Sequence, residues 1–348
     1  MMKKTIAILL SILMLLALAA GCTATAPAAE ATEAPAEATA TAEPTAAPEE
    51  AKTYSIGIVQ IVEHAALDAA REGFIQALAD NGLVEGENVT FDVQNAQGDQ
   101  STLSTIGDRF VSANVDMILA IATPSAQTMA SKTTTIPILG TAVTDYEVAK
   151  LVNSNEVPGG NVSGTSDMNP IADQIALLFE LYPDAATIGC IYNSGEDNSV
   201  LQAAIAKEAI EAAGKTYTEV TVTSTNDVQQ AMQSLVTQCD AIYIPTDNTI
   251  ASAMPIVAEV ANTAMIPVIC GESNMVAAGG LATLGINYYD LGYQTGLMAL
   301  KILLEGADIS TMPIEFATGF DAAFNAETAA AIGLTIPEKY QSAILPAA

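Results

Sequence analysis

From Tyr54 onward, short apolar runs of strand length alternate with longer amphipathic stretches, and the whole alternation is played through twice. In the first series the strand candidates are 54–60, 88–95, 117–122 and 136–143, separated by helices around 65–81, 101–113 and 125–131. Pro158-Gly159-Gly160-Asn161 then gives a strong turn signal. The second series has strands at 187–192, 217–222, 241–245 and 268–270, with helices at 171–182, 197–213, 227–236 and 250–263. Repeated βα units build mainly parallel sheets covered on both faces. The reading is therefore an α/β chain of two doubly wound, Rossmann-like lobes joined by a multi-crossing hinge. The Gly279-Gly280 loop and a strand at 281–286 are expected to return the chain to the first lobe, a helix at 289–305 to complete it, and the tail from Pro313 to cross again. Lobe 1 is then 53–162 with 281–312, and lobe 2 is 163–280 with 313–348.

Ligands of such sheets bind beyond the carboxyl ends of the strands. Two lobes facing each other through those ends form a cleft able to close on a small molecule. At one strand end, Ala122-Thr123-Pro124-Ser125-Ala126 begins a helix with Pro and Ser in its first turn. Free N–H groups there, with the Thr123 and Ser125 hydroxyls, suit a carboxylate at the positive end of the helix dipole, alongside the plainer role of N-capping. Asn193-Ser194 offers a second set of donors on the other lobe, or simply an Asx turn. Asp145, Asp247 and Glu272 each follow a strand, where an α-amino group would find the carboxylate that its desolvation demands. Asp247 is the first choice of the three, and each also suits a helix cap. Gln60 to His64 forms the lip after the first strand, with Ile61, Val62 and Leu67 as apolar neighbours for a ligand side chain. Tyr146, Tyr192 and Tyr288 are the aromatic residues near strand ends. Glu196, Asp197 and Asn198 are read as caps of the helix that follows them.

The chain carries 11 Lys and Arg against 40 Asp and Glu, a net charge of −29. That field disfavours nucleic acid and anionic lipid surfaces as partners. Cys190, Cys239 and Cys270 show no CxxC spacing and have one His in the chain for company, so neither metal nor cofactor is expected, and Cys190 and Cys270 read as buried thiols. There is no GxGxxG after a strand, no Walker A sequence and no GxSxG elbow. A binding protein is preferred to an enzyme, with a carboxylate-based α/β enzyme as the remote alternative.

Before Tyr54 the composition changes twice. Lys3 and Lys4 precede an apolar run over 5–17 that ends in small residues, the pattern of a secretory signal. Leu18-Ala19-Ala20-Gly21-Cys22 resembles the bacterial lipobox, in which the Cys becomes the first mature residue and carries acyl chains; this makes 1–22 a lipoprotein signal peptide and Cys22 a lipid anchor. Residues 23–52, almost wholly Ala, Thr, Glu and Pro, are expected to form a disordered tether.

The order of motifs from Tyr54 to Pro337 resembles the substrate-binding lipoprotein family of ABC transporters that includes the tryptophan and tyrosine binding proteins. The resemblance rests on Glu63-His64-Ala65-Ala66-Leu67-Asp68, Asn95-Ala96-Gln97-Gly98-Asp99, Ala122-Thr123-Pro124-Ser125-Ala126-Gln127 and Val143-Thr144-Asp145. It continues through Pro158-Gly159-Gly160-Asn161-Val162-Ser163-Gly164, Tyr192-Asn193-Ser194-Gly195-Glu196-Asp197-Asn198-Ser199, Ile244-Pro245-Thr246-Asp247-Asn248 and Leu291-Gly292. Where the family often has Pro after Val-Thr-Asp, this chain has Tyr146. The resemblance implies a type I periplasmic-binding-protein fold and extracytoplasmic capture of a small solute, with an aromatic amino acid favoured. It also implies delivery to a permease coupled to an ATPase. The binding protein itself is expected to be a monomer held at the outer face of the cell membrane. A solute sensor for a membrane signalling receptor would share the same fold and cleft.

Overall fold

The computed structural model describes residues 52–346. The expected signal peptide, Cys22 and all of the expected tether except Lys52 lie outside the described residues. Lobe 1 begins with β1 (Tyr54–Gln60), α1 (Ala65–Asp80), β2 (Val89–Asn95), α2 (Gln100–Ala113), β3 (Met117–Ile121), α3 (Thr123–Lys132), β4 (Ile138–Val143) and β5 (Val162–Ser166). Lobe 2 follows with α4 (Ile171–Leu181), β6 (Thr187–Asn193), α5 (Asp197–Ala212), β7 (Thr216–Val222), α6 (Thr225–Leu235) and β8 (Ala241–Ile244). It continues through α7 (Asn248–Ser252), α8 (Met254–Thr263), β9 (Val268–Cys270), α9 (Ser273–Ala277) and β10 (Ala282–Gly285). Then come α10 (Tyr288–Leu303), β11 (Glu315–Phe316), β12 (Asp321–Phe324) and α11 (Ala326–Ala331).

The two sheets repeat one plan. In lobe 1 the strand order is β2-β1-β3-β4-β5-β11 and in lobe 2 it is β7-β6-β8-β9-β10-β12. All pairs are parallel except β10 with β12. Strands β3 and β4 are buried along their whole length, as central parallel strands covered by helices on both faces must be. The order reverses between β1 and β3, and between β6 and β8. In each lobe that switch point is where loops splay apart and leave a crevice at the carboxyl edge.

The crossings fall later than the sequence suggests. β5 pairs with β4 and stays in lobe 1, so the first crossing is 167–170 rather than 163. The strand after Gly279-Gly280 does not return to lobe 1; β10 pairs with β9 and β12, inside the second sheet. The second crossing is therefore Ile286-Asn287, and α10 is the element that returns. β11 pairs with β5 in lobe 1, which puts the third crossing after Phe316 rather than at Pro313. The helix expected over 250–263 is two helices, because Pro255 has no N–H to donate and its ring blocks the preceding turn.

Helix α10 belongs to lobe 1 by packing: Leu291, Met298, Ala299 and Leu300 join one apolar core with β1, β3 and β4. It lies against α1 with almost no space between the backbones. A Cβ at Gly292 would overlap the carbonyl of Ala70, and one at Gly73 would overlap that of Tyr289.

Candidate functional site

The carboxyl edges of both sheets meet around a small, partly enclosed cavity. Lobe 1 contributes His64, Ala66, Leu67 and Ala142. Asp167 and Tyr288 enter from the crossings, while Asn198, Thr246, Asp247, Asn248, Ala251, Glu272 and Met275 come from lobe 2. Among the described residues, no Lys or Arg lines it.

Three buried carboxylates form its acidic wall. Asp247 caps α7, accepting from Ile250 N at 2.8 Å and from Asn193 N at 2.6 Å, so it ties the end of β6 to the end of β8. Burial, and then the nearby charge of Glu196, push its pKa up. Glu272 caps α9 through Asn274 N and Met275 N, at 2.6 and 2.8 Å. Burial outweighs those hydrogen bonds and raises its pKa to about 7. Asp167 accepts from Thr144 Oγ1 at 2.9 Å and from the Tyr288 hydroxyl at 2.6 Å, and burial raises its pKa as well.

His64 precedes α1 with extended backbone, and its Nε2 lies 3.4 Å from Asn248 Oδ1 across the cleft. Asn248 spends its Nδ2 on Glu196, so its Oδ1 faces the ring and Nε2 is the donor. Burial lowers the His64 pKa to about 4, which keeps the ring neutral at pH 7.

On the lobe 1 side the backbone is bent out of the usual regions beside the cavity. Ala122 has φ 80° and Ala142 has φ 55°, left-handed values that non-glycine residues seldom adopt. Ala142 sits in a break of register between Gly140 and Val143, a bulge that turns the end of β4. The β3–β4 ladder runs to Ile121 opposite Thr141, so the start of α3 lies next to this bulge. There Thr123 and Ser125 are buried, yet neither hydroxyl has a hydrogen-bond partner. Strain and bare polar groups thus collect at one strand end, although neither Thr123 nor Ser125 is among the residues that line the cavity.

The other candidates have different work. Ala126 donates its N–H to Ala122 O and so has no free backbone donor. Gln60 is buried but committed to Asp68 and Arg71 within lobe 1. The Asp145 carboxylate turns away from the cavity and accepts from Glu147 N and Val148 N, at 2.9 Å each. Asn193 forms a tight turn through Gly195 N and bonds Thr249 Oγ1, and with Ser194 it borders a wider outer groove. Of the three tyrosines only Tyr288 reaches the cavity; Tyr146 is buried in lobe 1 with its hydroxyl on Thr165 O, and the Tyr192 hydroxyl meets Glu219. Nor do Glu196, Asp197 and Asn198 cap their own helix. Glu196 holds the start of α7 through Asn248 N and Thr249 N, Asp197 meets Gln127 of lobe 1, and Asn198 faces the cavity.

Sequence reasoning missed Asp167, Thr246 and Asn198 as cavity residues. Thr246 and Asn198 lay inside quoted motifs, whereas Asp167 follows a strand whose small polar residues gave no hydropathy signal.

Two doubly wound lobes, a three-crossing hinge and a polar cavity between their carboxyl edges define a solute-binding protein of the type I periplasmic-binding-protein fold. The same fold recurs at far lower identity in leucine- and sugar-binding proteins. The sequence profile described as ABC transporter substrate binding protein matches residues 55–343, and the chain belongs to that family. It is a binding protein and not an enzyme, from a family that works outside the cytoplasm. A tyrosine-binding protein from Clostridioides difficile is 43% identical over 286 residues, 82% of this chain and 83% of that one. An ABC domain from Streptococcus pneumonia in complex with L-Trp is 36% identical, with a TM-score of 0.81 over 84% of this chain and 100% of that one. A ligand-free, open substrate binding protein with adhesive properties from Clostridium difficile is 44% identical but has a TM-score of 0.66, over 85% of this chain and 100% of that one. Among the described residues, no helix is long and apolar enough to cross a membrane.

Proposed function

We propose that the protein captures an aromatic α-amino acid, tyrosine or tryptophan, in the inter-lobe cavity and delivers it to an ABC permease and its ATPase. The observation that carries this reading is the acidic wall of the cavity, which among the described residues has no Lys or Arg in its lining. On lobe 1, outside that lining, the unpartnered Thr123 and Ser125 hydroxyls at the start of α3 are suited to a carboxylate once the adjoining strand ends adjust. Lobe 2 offers carboxylates without a resident cation, suited to an ammonium. Asp247 is the ion partner of the amino group, since it sits at the β6/β8 switch point. Ala66, Leu67, Ala251, Met275 and the Tyr288 ring receive the side chain. A tyrosine-binding relative and a tryptophan-bound one support the ligand class.

The TM-scores favour a closed arrangement of the lobes. The chain superposes better on the tryptophan-bound structure than on the open one, although its sequence is nearer the open one. Ligand therefore shifts an open population toward this closed form, which the permease recognises.

In the cell, Cys22 anchors the protein by its lipid and 23–52 tethers the binding lobes. A Cys22→Ser protein should appear in the culture medium and fail to incorporate a labelled fatty acid; retention at the membrane with no label would remove the anchor. The ligand is tested by thermal-shift screening and calorimetry against the amino acids. Stabilisation by Tyr or Trp is the expected outcome, because a ligand that binds only the folded state raises its melting temperature. Stabilisation confined to other solutes would overturn the aromatic assignment.

A further inference from the structure

Among the described residues, five buried side-chain polar atoms have no hydrogen-bond partner: Thr123 Oγ1, Ser125 Oγ, Asn155 Oδ1, Tyr182 Oη and Asn198 Oδ1. Of these residues only Asn198 lines the cavity. Thr123 and Ser125 open α3 on lobe 1, and Asn198 lies in the first turn of α5 on lobe 2. The two helices touch there, with Gln127 Nε2 donating to Asp197 Oδ2 at 2.8 Å, so the residue beside Asn198 is bonded one turn from the bare hydroxyls.

The orientation of the Asn198 amide is forced. Its Nδ2 donates to Thr246 O at 3.0 Å and to Ser199 Oγ at 3.2 Å. Turning the amide over would set one carbonyl oxygen against another. Oδ1 is thus left as an acceptor, 95% buried with its residue, at the wall of the cavity. A buried carbonyl left without a donor is costly, so the site is incomplete until something donates to it.

We infer that Asn198 is a specificity-determining ligand residue whose Oδ1 accepts a hydrogen bond from the α-ammonium group of the bound amino acid. The inference rests on the functional reading above and extends it. The amino group of a ligand in the cavity is drawn to its acidic wall. There Asn198 stands next to Asp247, joined through its bond to Thr246 O. Asp247 supplies charge, whereas Asn198 supplies a directed neutral acceptor. A ligand that also touches His64 or Leu67 then spans the two lobes, and the amino group is what draws lobe 2 onto lobe 1. The site accepts free α-amino acids and rejects analogues in which the ammonium is missing or acylated.

The test is calorimetry with L-tyrosine, L-tryptophan and their des-amino analogues, in which hydrogen replaces the ammonium group. Wild-type protein, Asn198→Leu, Asn198→Ala and Asn198→Asp are compared, with melting temperatures to check folding. All three variants lose the amide donor to Thr246 O, but only the Leu and Ala variants lose the acceptor. Asn198→Leu and Asn198→Ala should weaken amino-acid binding by about 10- to 100-fold, as for one charge-assisted hydrogen bond, with little effect on the des-amino analogues. Asn198→Asp should keep the preference for the ammonium form. Equal losses for both ligand types, equal losses in all variants, or no loss at all would overturn the assignment. A wild-type protein that binds no amino acid would instead overturn the functional reading, and this inference with it.

Discussion

Asp247 and Glu272 show how far two buried carboxylates can be strained before a ligand relieves them. The pKa of Glu272 is raised from 4.5 to about 7, so the folded protein holds that proton more tightly than the unfolded chain. The cost of ionising it is nil below pH 4.5, grows as pH rises, and is complete above about 7. Asp247 and Asp167 act with the same sign, whereas His64, lowered to about 4, acts with the opposite sign between pH 4 and 6.5. An ammonium ligand favours the ionised carboxylates. Binding near pH 6 should therefore release protons, and affinity should rise as pH is raised toward 7.5. Calorimetry in two buffers of different ionisation enthalpy measures that release directly. Asn in place of Asp247 should weaken binding of the amino acid by at least about tenfold, the effect of losing a desolvated ion partner. An Asp247→Asn protein with unchanged affinity would place the ammonium elsewhere on the wall. At this scale Asp247 and Glu272, each separated by one or two residues from the end of an apolar strand, both line the cavity. The sequence was misleading at Asp145, which also follows a strand but turns into its own loop to cap two N–H groups.

Among the elements, α10 makes the sharpest demand on its residues. Gly73 on α1 and Gly292 on α10 let the two backbones approach until no Cβ fits between them. Gly292→Ala must push α10 outward and carry the Ile286-Asn287 crossing with it. Overpacking of this kind costs roughly 1–3 kcal/mol, read as a lowered melting temperature. An unchanged melting temperature would show that the helices slide apart freely. Strands β1 and β9 were legible to the residue as short apolar runs flanked by helix-forming stretches. β5 was not, for a physical reason. Val162-Ser163-Gly164-Thr165-Ser166 is wholly buried, yet its hydroxyls are satisfied from within: Ser163 on Met312 O, Thr165 beside Thr295 of α10, and Ser166 on Thr144 O. A strand solvated by its own neighbours carries no hydropathy signal. The strand after Gly279-Gly280 was visible but its lobe was not, since nothing local distinguishes an inner parallel strand from one that crosses.

At the scale of the molecule, closure rests on few direct bonds between the lobes. Gln127 to Asp197 at 2.8 Å, Gln202 Nε2 to Thr144 Oγ1 at 3.2 Å and His64 to Asn248 at 3.4 Å are the side-chain bonds that join them around the cavity. The first is exposed, the second buried and the third part-buried, and each is worth about 1 kcal/mol net, against the freedom lost when the hinge stops moving. The empty protein is then poised near balance, and a ligand that touches both lobes decides the outcome. Apparent affinity is divided by the fraction of molecules already able to close, so a weakened latch should reduce affinity without touching ligand. Gln127→Ala removes the outermost bond and leaves the cavity lining intact. It should raise the dissociation constant by about 2- to 5-fold, mostly through faster release, with the same preference among amino acids. Small-angle scattering supplies the companion measurement: the empty protein should be more extended than the ligand-bound one, and ligand should compact both wild type and variant to the same final dimensions. An empty protein as compact as the bound one would mean that direct contacts alone hold the cleft shut. Ligand entry would then require opening against them, and the Gln127→Ala protein should bind faster instead of releasing faster.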